Sequence, residues 1–226
     1  MSRQASRSNV FFLALSVFLY AGSSADWAEA SEISVPDGTV LDFSVMREGE
    51  KIGTHIMKFT HSGDHMGVEI KTDIQVSILF VPVYHFNHEG QEVWQGGKLK
   101  KLDSNTDDDG TKHTLSVEGR AAALNINGDG NLSTANSAMI PASLWHPGFM
   151  HPGQAKILNT LDGRIMTVNT TFKGDEKVAV HSATVLAKHF AITGDLEREV
   201  WYDPNGMLAK TRFKGSDGSV IEYVLK

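Results

Sequence analysis

Between Val68 and Ile78 the chain alternates without exception: Val68, Ile70, Thr72, Ile74, Val76 and Ile78 are apolar or threonine, and the five residues between them are polar. Strict period two predicts a strand with one buried and one wet face. At ~3.3 Å per residue it would run about 35 Å, long for a globular strand, so a bend or bulge is expected within it. Shorter alternations at Leu41–Val45, His113–Glu118, Met166–Phe172 and Ile221–Leu225 predict further strands. Between them lie the turn pairs Asp37-Gly38, Asp109-Gly110, Asn127-Gly128, Asp129-Gly130, Asp162-Gly163, Asn205-Gly206 and Asp217-Gly218. Asp and Asn tolerate left-handed backbone and glycine takes positive φ cheaply, so such pairs favour tight hairpin loops. The pattern is all-β: an antiparallel meander, with no βαβ signal. So large a sheet cannot stay flat and open, because twist curls it and free edges invite pairing. A barrel, a half-barrel, a strongly curved sheet or a sandwich would satisfy that constraint.

Two stretches depart from the alternation. Residues 137–156 hold three of the six prolines together with Trp145 and Phe149, which rules out a central strand. A short helix is expected to start near Pro141, with Ala142, Ser143, Leu144 and Trp145 in its first turn, followed by an ordered loop. The run Ile78-Leu79-Phe80-Val81-Pro82-Val83-Tyr84, with Phe86 beyond, is apolar on both faces. It reads as a strand crossing the core, or as the wall of a hydrophobic cleft. In the second case Phe80, Tyr84, Phe86, Trp94 and Trp145 are the candidate ligand-binding residues.

The N-terminus changes the expected destination. Arg3 and Arg7 precede an unbroken apolar run, Val10–Tyr20, and then the small-residue site Ala28-Glu29-Ala30. That is the form of a cleavable secretory signal, and the run is well short of the roughly twenty residues a membrane-crossing helix needs. The expected division is a signal peptide over 1–30, a flexible segment over 31–39 and one all-β domain over 40–226. The export signal leads to the periplasm or the exterior, with no permanent span after cleavage. There is no cysteine, so neither disulfides nor a lipid-bearing cysteine can contribute, and stability must come from burial. The net charge of −6 gives no support for nucleic-acid binding.

With the strands placed, the chain resembles a family of secreted bacterial proteins defined only as a domain of unknown function. The likeness is carried by Phe43-Ser44-Val45 through Gly49 to Ile52-Gly53-Thr54-His55, by Glu92-Val93-Trp94-Gln95-Gly96-Gly97-Lys98-Leu99, by Leu144-Trp145, and by Glu199-Val200-Trp201-Tyr202-Asp203-Pro204-Asn205-Gly206-Met207-Leu208. The last hairpin also resembles those of curved-sheet envelope proteins, including the lipoprotein-localisation carriers. That resemblance implies a concave sheet able to hold an acyl chain, and it transfers no catalytic residue.

Ten histidines raise the question of a metal. His85 and His88 have odd spacing and so point to opposite faces of a strand; both read as exposed strand histidines. His146 and His151, in the near-repeat Trp-His-Pro-Gly and Met-His-Pro-Gly, are the candidate ligands for a transition metal, with a third ligand to come from a distance, from His55, His85 or Asp103. Asp107-Asp108-Asp109-Gly110 lacks the calcium-loop pattern, since Lys112 stands where that loop requires glycine. No Gly-x-Ser-x-Gly elbow or phosphate-binding glycine loop occurs. Two readings follow. One is a non-catalytic envelope protein that binds an apolar or amphipathic molecule, or a partner protein, on a curved sheet without a cofactor. The other is a metal-binding protein or metal-dependent enzyme built on His146 and His151.

Overall fold

The structure is a computed structural model in which residues 35–180 and 183–226 are described; the signal peptide expected over residues 1–30 lies outside them. Among the described residues fifteen strands form one continuous sheet. In chain order they are β1 (Val40–Arg47), β2 (Glu50–Ser62), β3 (His65–Ile78), β4 (Val81–Gln95), β5 (Lys98–Asp108), β6 (Thr111–Arg120), β7 (Ala123–Gly128), β8 (Asn131–Asn136), β9 (Ile140–Pro141), β10 (Gly153–Leu158), β11 (Ile165–Val180), β12 (Ala183–Gly194), β13 (Arg198–Tyr202), β14 (Leu208–Lys214) and β15 (Val220–Leu225). Apart from the short parallel contact of β9 with β10, every pairing is antiparallel and nearly every one joins strands consecutive in sequence. The exception is β1, which pairs with β15, so the first and last strands meet in the middle of the sheet.

The sheet curls but its hydrogen bonding does not close. The edges are β8 and β9, consecutive in the chain and separated only by residues 137–139. The β10–β11 connection reaches across the seam instead: Ser104 Oγ donates to Thr160 O at 2.6 Å. Gly128 lies so close to the same connection that a Cβ there would sit 1.8 Å from Asp162 O. This corrects the expectation of a turn at Asn127-Gly128. Gly128 ends β7, and its lack of a side chain is what lets the connection pack onto the strand. The turns at Asp109-Gly110 and Asp129-Gly130 do form, with positive φ at both residues of each pair, as two-residue hairpins of matching twist require.

The long alternating strand is β3, with Val68, Ile70, Thr72 and Ile74 buried and the residues between them outward. Its register against β4 shifts between Val76 and Ser77, the bulge that its length predicts. Beyond it the apolar run behaves differently from either sequence expectation. Leu79 and Phe80 form the tip of the β3–β4 hairpin, 88% and 101% exposed, and Val81 and Val83 are exposed as well. The reason is register: β4 has no β5 partner before Phe86, which faces Asp108. The hairpin end therefore projects past its neighbour, and its apolar residues have nothing to pack on.

The expected helix at Pro141 is also corrected. Pro141 belongs to β9, Ala142 N donates to Leu158 O at 2.8 Å, and Leu144 has a left-handed φ of 67°. Both features are incompatible with a right-handed first turn. The helical turn comes later, as a 3-10 turn over Pro147–Met150.

Inside the curl, the main core gathers Phe43, Phe59, Trp94, Leu102, Trp145 and Phe149 among many others. A smaller apolar cluster surrounds Val45, Ile74 and Ile221, with Val76, Tyr84, Phe86 and Phe213 packed against it. The chain joins this core before β1: Val35 is buried, and Gly38 N donates to Phe59 O at 3.0 Å.

Candidate ligand-binding cavity

The inward positions of β4 trace a path through the interior: Trp94, Glu92, Gly90, His88, Phe86. At its first end the interior is filled. The loop after β9 inserts Trp145, whose ring meets Trp94 and Phe59 edge to face at 5.3 Å each. Both indole N–H groups donate to one oxygen of Glu92, from Trp94 at 2.8 Å and from Trp145 at 3.1 Å. Glu92 is only 1% exposed, and its other carboxyl oxygen has no hydrogen-bond partner. Burial pushes its pKa up, opposed by the two indoles and by the nearby Ser143 hydroxyl. Tyr202 ties the same loop to the sheet by donating to Leu144 O at 2.7 Å.

At the other end the inward residues are smaller and more polar, and a cavity of about 420 Å³ is left between the sheet and the turns at its rim. A polar belt crosses it. Nδ1 of His55 lies 2.7 Å from Thr72 Oγ1, and Nδ1 of His88 lies 2.8 Å from Thr106 Oγ1. Burial lowers both imidazoles, His55 to about 3 with help from the charge of His88, and His88 to about 4. Both are therefore neutral near pH 7. Arg198 and Tyr223 line the same cavity, the Tyr223 ring 5.1 Å from that of His55, and burial raises the Tyr223 phenol to about 12. Ile70, Phe86, Met166, Leu196, Leu208 and Phe213 supply the apolar wall. Such a lining, apolar with a few convergent polar groups, and a volume within the usual range of roughly 300–1,000 Å³ are the marks of a small-molecule pocket.

Of the residues expected from sequence to form a cleft, only Phe86 lines this cavity. Tyr84 is half-buried in the adjoining apolar cluster and donates to Asp108 Oδ1 at 2.8 Å. Trp94 and Trp145 lie in the filled end, and Phe80 is at the exposed hairpin tip. His85 and His88 do face opposite sides of β4, but His88 is buried, which corrects its expected exposure.

The paired histidines of the loop are also separated in role. His146 stacks on Trp94 at 4.9 Å and is buried, with a pKa lowered to about 4 by burial and by the charge of His151. Its Nδ1 accepts the Gly148 amide at 2.9 Å, which leaves Nε2, buried and without a hydrogen-bond partner, to carry the proton. His151 is exposed. Among the described residues no group of three or more His, Cys, Asp or Glu side chains is arranged to hold a metal ion.

Residues 43–226 match the model of DUF6134, a domain of unknown function. The chain belongs to that family. No curated protein matches it. Among solved structures, the DUF6134 chain is similar to a β-barrel-like protein of domain of unknown function DUF1849 from Brucella abortus. The TM-score is 0.58 at 11% identity, over 83% of this chain and 94% of that one. At that identity the likeness speaks to fold alone, and it agrees with the curled sheet. No helix among the described residues is long and apolar enough to cross a membrane.

The sequence missed Arg198, Tyr223, Glu92 and the inward role of His88. For His88 the signal was present: it shares the parity of Trp94 on β4, so a buried Trp94 carries His88 to the same face.

Proposed function

We propose that this protein is an exported, non-catalytic binding protein that holds an apolar or amphipathic small molecule inside its curled sheet. The observation that carries the reading is the 420 Å³ cavity, with an apolar wall and a polar belt already formed by β2, β3, β4 and β13 to β15. The belt suits binding better than acid–base chemistry. Each histidine directs Nδ1 to a threonine hydroxyl rather than to an orienting carboxylate, and each is held neutral by burial.

The test uses protein made without an affinity tag and analysed by native mass spectrometry and solvent extraction. A non-covalent adduct released by organic solvent is expected. Protein that carries nothing, and that binds none of a series of fatty acids and long-chain alcohols, would end this reading. Export is tested separately. The periplasmic or secreted form should begin at Ser31, and full-length protein confined to the cytosol would overturn it.

A further inference from the structure

Among the described residues that line the cavity, Arg198 is a partly buried cation with no ion-pair partner. Its guanidinium lies over the Phe213 ring, 3.7 Å from the centroid, and Nη1 donates to Glu197 O at 2.8 Å. Among the described residues it makes no ion pair, unlike Arg212 on the neighbouring strand β14, which holds Glu199 through both Nε and Nη2. A half-buried guanidinium normally has a carboxylate partner, because taking the charge partly out of water is costly. Here burial works against the charge, and the Tyr223 phenol opposes that effect. One of its five N–H donors is used by the Glu197 carbonyl, and no other side-chain hydrogen bond holds the guanidinium among the described residues.

The other groups facing the cavity narrow the choice. His55 and His88 are neutral and add no positive charge. Asp195 and Glu197 also line it. Asp195 accepts the Thr167 amide at 2.8 Å, and Glu197 is exposed at the rim. Arg164, also exposed, sits on the same rim. One inner cation beside two rim carboxylates suits a head group with a single negative charge. The planar fork of arginine matches a carboxylate through two parallel hydrogen bonds. The wall of Ile70, Phe86, Met166 and Leu208 suits an aliphatic chain.

We infer that the cavity takes a carboxylate-headed amphiphile, its carboxylate paired with Arg198 and its chain packed along the apolar wall. This rests on the binding reading above and names the ligand class for it.

Calorimetric titration of the full domain with decanoate, 1-decanol and decyl phosphate separates the two levels. Decanoate should bind at least about tenfold more tightly than decanol, the weight of a charge-assisted pair in a partly dry site, and more tightly than decyl phosphate. Arg198→Met, which replaces the guanidinium over Phe213 with an uncharged apolar side chain, should erase the preference for decanoate over decanol. Equal binding of decanoate and decanol by the native protein, tighter binding of the phosphate, or a preference that survives R198M would each overturn the head-group assignment and leave the cavity reading standing. Absence of binding for all three probes would remove both. Should R198M fail to fold, Arg198→Lys serves: a loss of about threefold or more for decanoate alone is expected from losing the fork, and unchanged decanoate affinity overturns the assignment.

Discussion

The two ends of the interior are built by the same strands and differ in almost every other respect. Along β4 the inward residues at the filled end are Trp94 and Glu92, and at the hollow end His88 and Phe86; along β3 they are Met66 and Val68, then Thr72 and Ile74. Both ends obey the same alternation. What separates them is the loop after β9, which drives Trp145 and Phe149 into one end, whereas its earlier residues Ala142, Ser143 and Leu144 border the other and leave it hollow. Period two therefore states which side chains point inward, and side-chain volume together with an inserted loop decides whether that interior is solid.

The largest effects should come from emptying the filled end. Trp145→Ala removes the ring that meets Phe59 and Trp94 and should cost about 3–5 kcal/mol by denaturant unfolding. Phe86→Ala, at the half-exposed cavity wall, should cost less than half as much; equal costs would erase the contrast between the ends. Glu92 sharpens the point. Glu92→Leu strands two buried indole N–H groups, at about 1–3 kcal/mol each. Glu92→Gln keeps an acceptor for both and should leave stability at pH 7 within about 1 kcal/mol of the native protein.

Acid should come next. His55, His88 and His146 have folded pKa values depressed to about 3, 4 and 4. The unfolded chain takes up these protons first, below its ordinary value near 6.5, so stability present above that pH is lost as pH falls toward the folded values. The expected slope is about 1.4 kcal/mol per pH unit for each histidine. Glu92, whose pKa is raised, works in the opposite sense: its folded form favours the proton, so its penalty eases as pH falls toward the ordinary carboxyl value. Urea midpoints between pH 7 and 4.5 should fall, and His88→Gln should reduce the slope by one histidine's share. A flat profile would show that the belt is wetter than its burial implies.

Smaller effects belong to the β3–β4 tip. Leu79 and Phe80 both carry left-handed φ, 49° and 66°, a conformation that side chains bearing a Cβ resist. Replacing the pair with Asn-Gly should stabilise the domain by about 1–2 kcal/mol in thermal unfolding. Phe80→Ser alone, which removes an exposed ring and no contact in the core, should stay within about 0.5 kcal/mol.

Much of the fold was legible because alternation and turn chemistry are local. β3, its bulge and the Asp-Gly hairpins all follow from residues adjacent in sequence. The failures have physical causes of the same kind. Asn127-Gly128 has turn composition, but the glycine serves a close approach between segments far apart in the chain. The apolar run at 78–84 looks like core because nothing local reveals where β5 stops pairing with β4. The cavity was the least legible feature. His55, His88, Arg198 and Tyr223 come from β2, β4, β13 and β15, and only the curl of the sheet brings them together. Arg198 is identified by what it lacks, an ion-pair partner, and that is a property of three-dimensional surroundings.

The pairing of β1 with β15 has a kinetic consequence. Val45 faces Tyr223 across that junction, and Lys226 N donates to Asp42 O at 2.9 Å, so contacts separated by nearly the whole chain join two otherwise local meanders. Hairpins can form early within β1 to β8 and within β10 to β15, but β1 presents an unpaired edge until the final strand arrives. Closure of so long a loop is slow, and an open, apolar edge during that wait is a site for association between chains. The junction at β1 and β15 is thus the step at which two half-sheets become one, and a chain released before β15 would carry its own aggregation template.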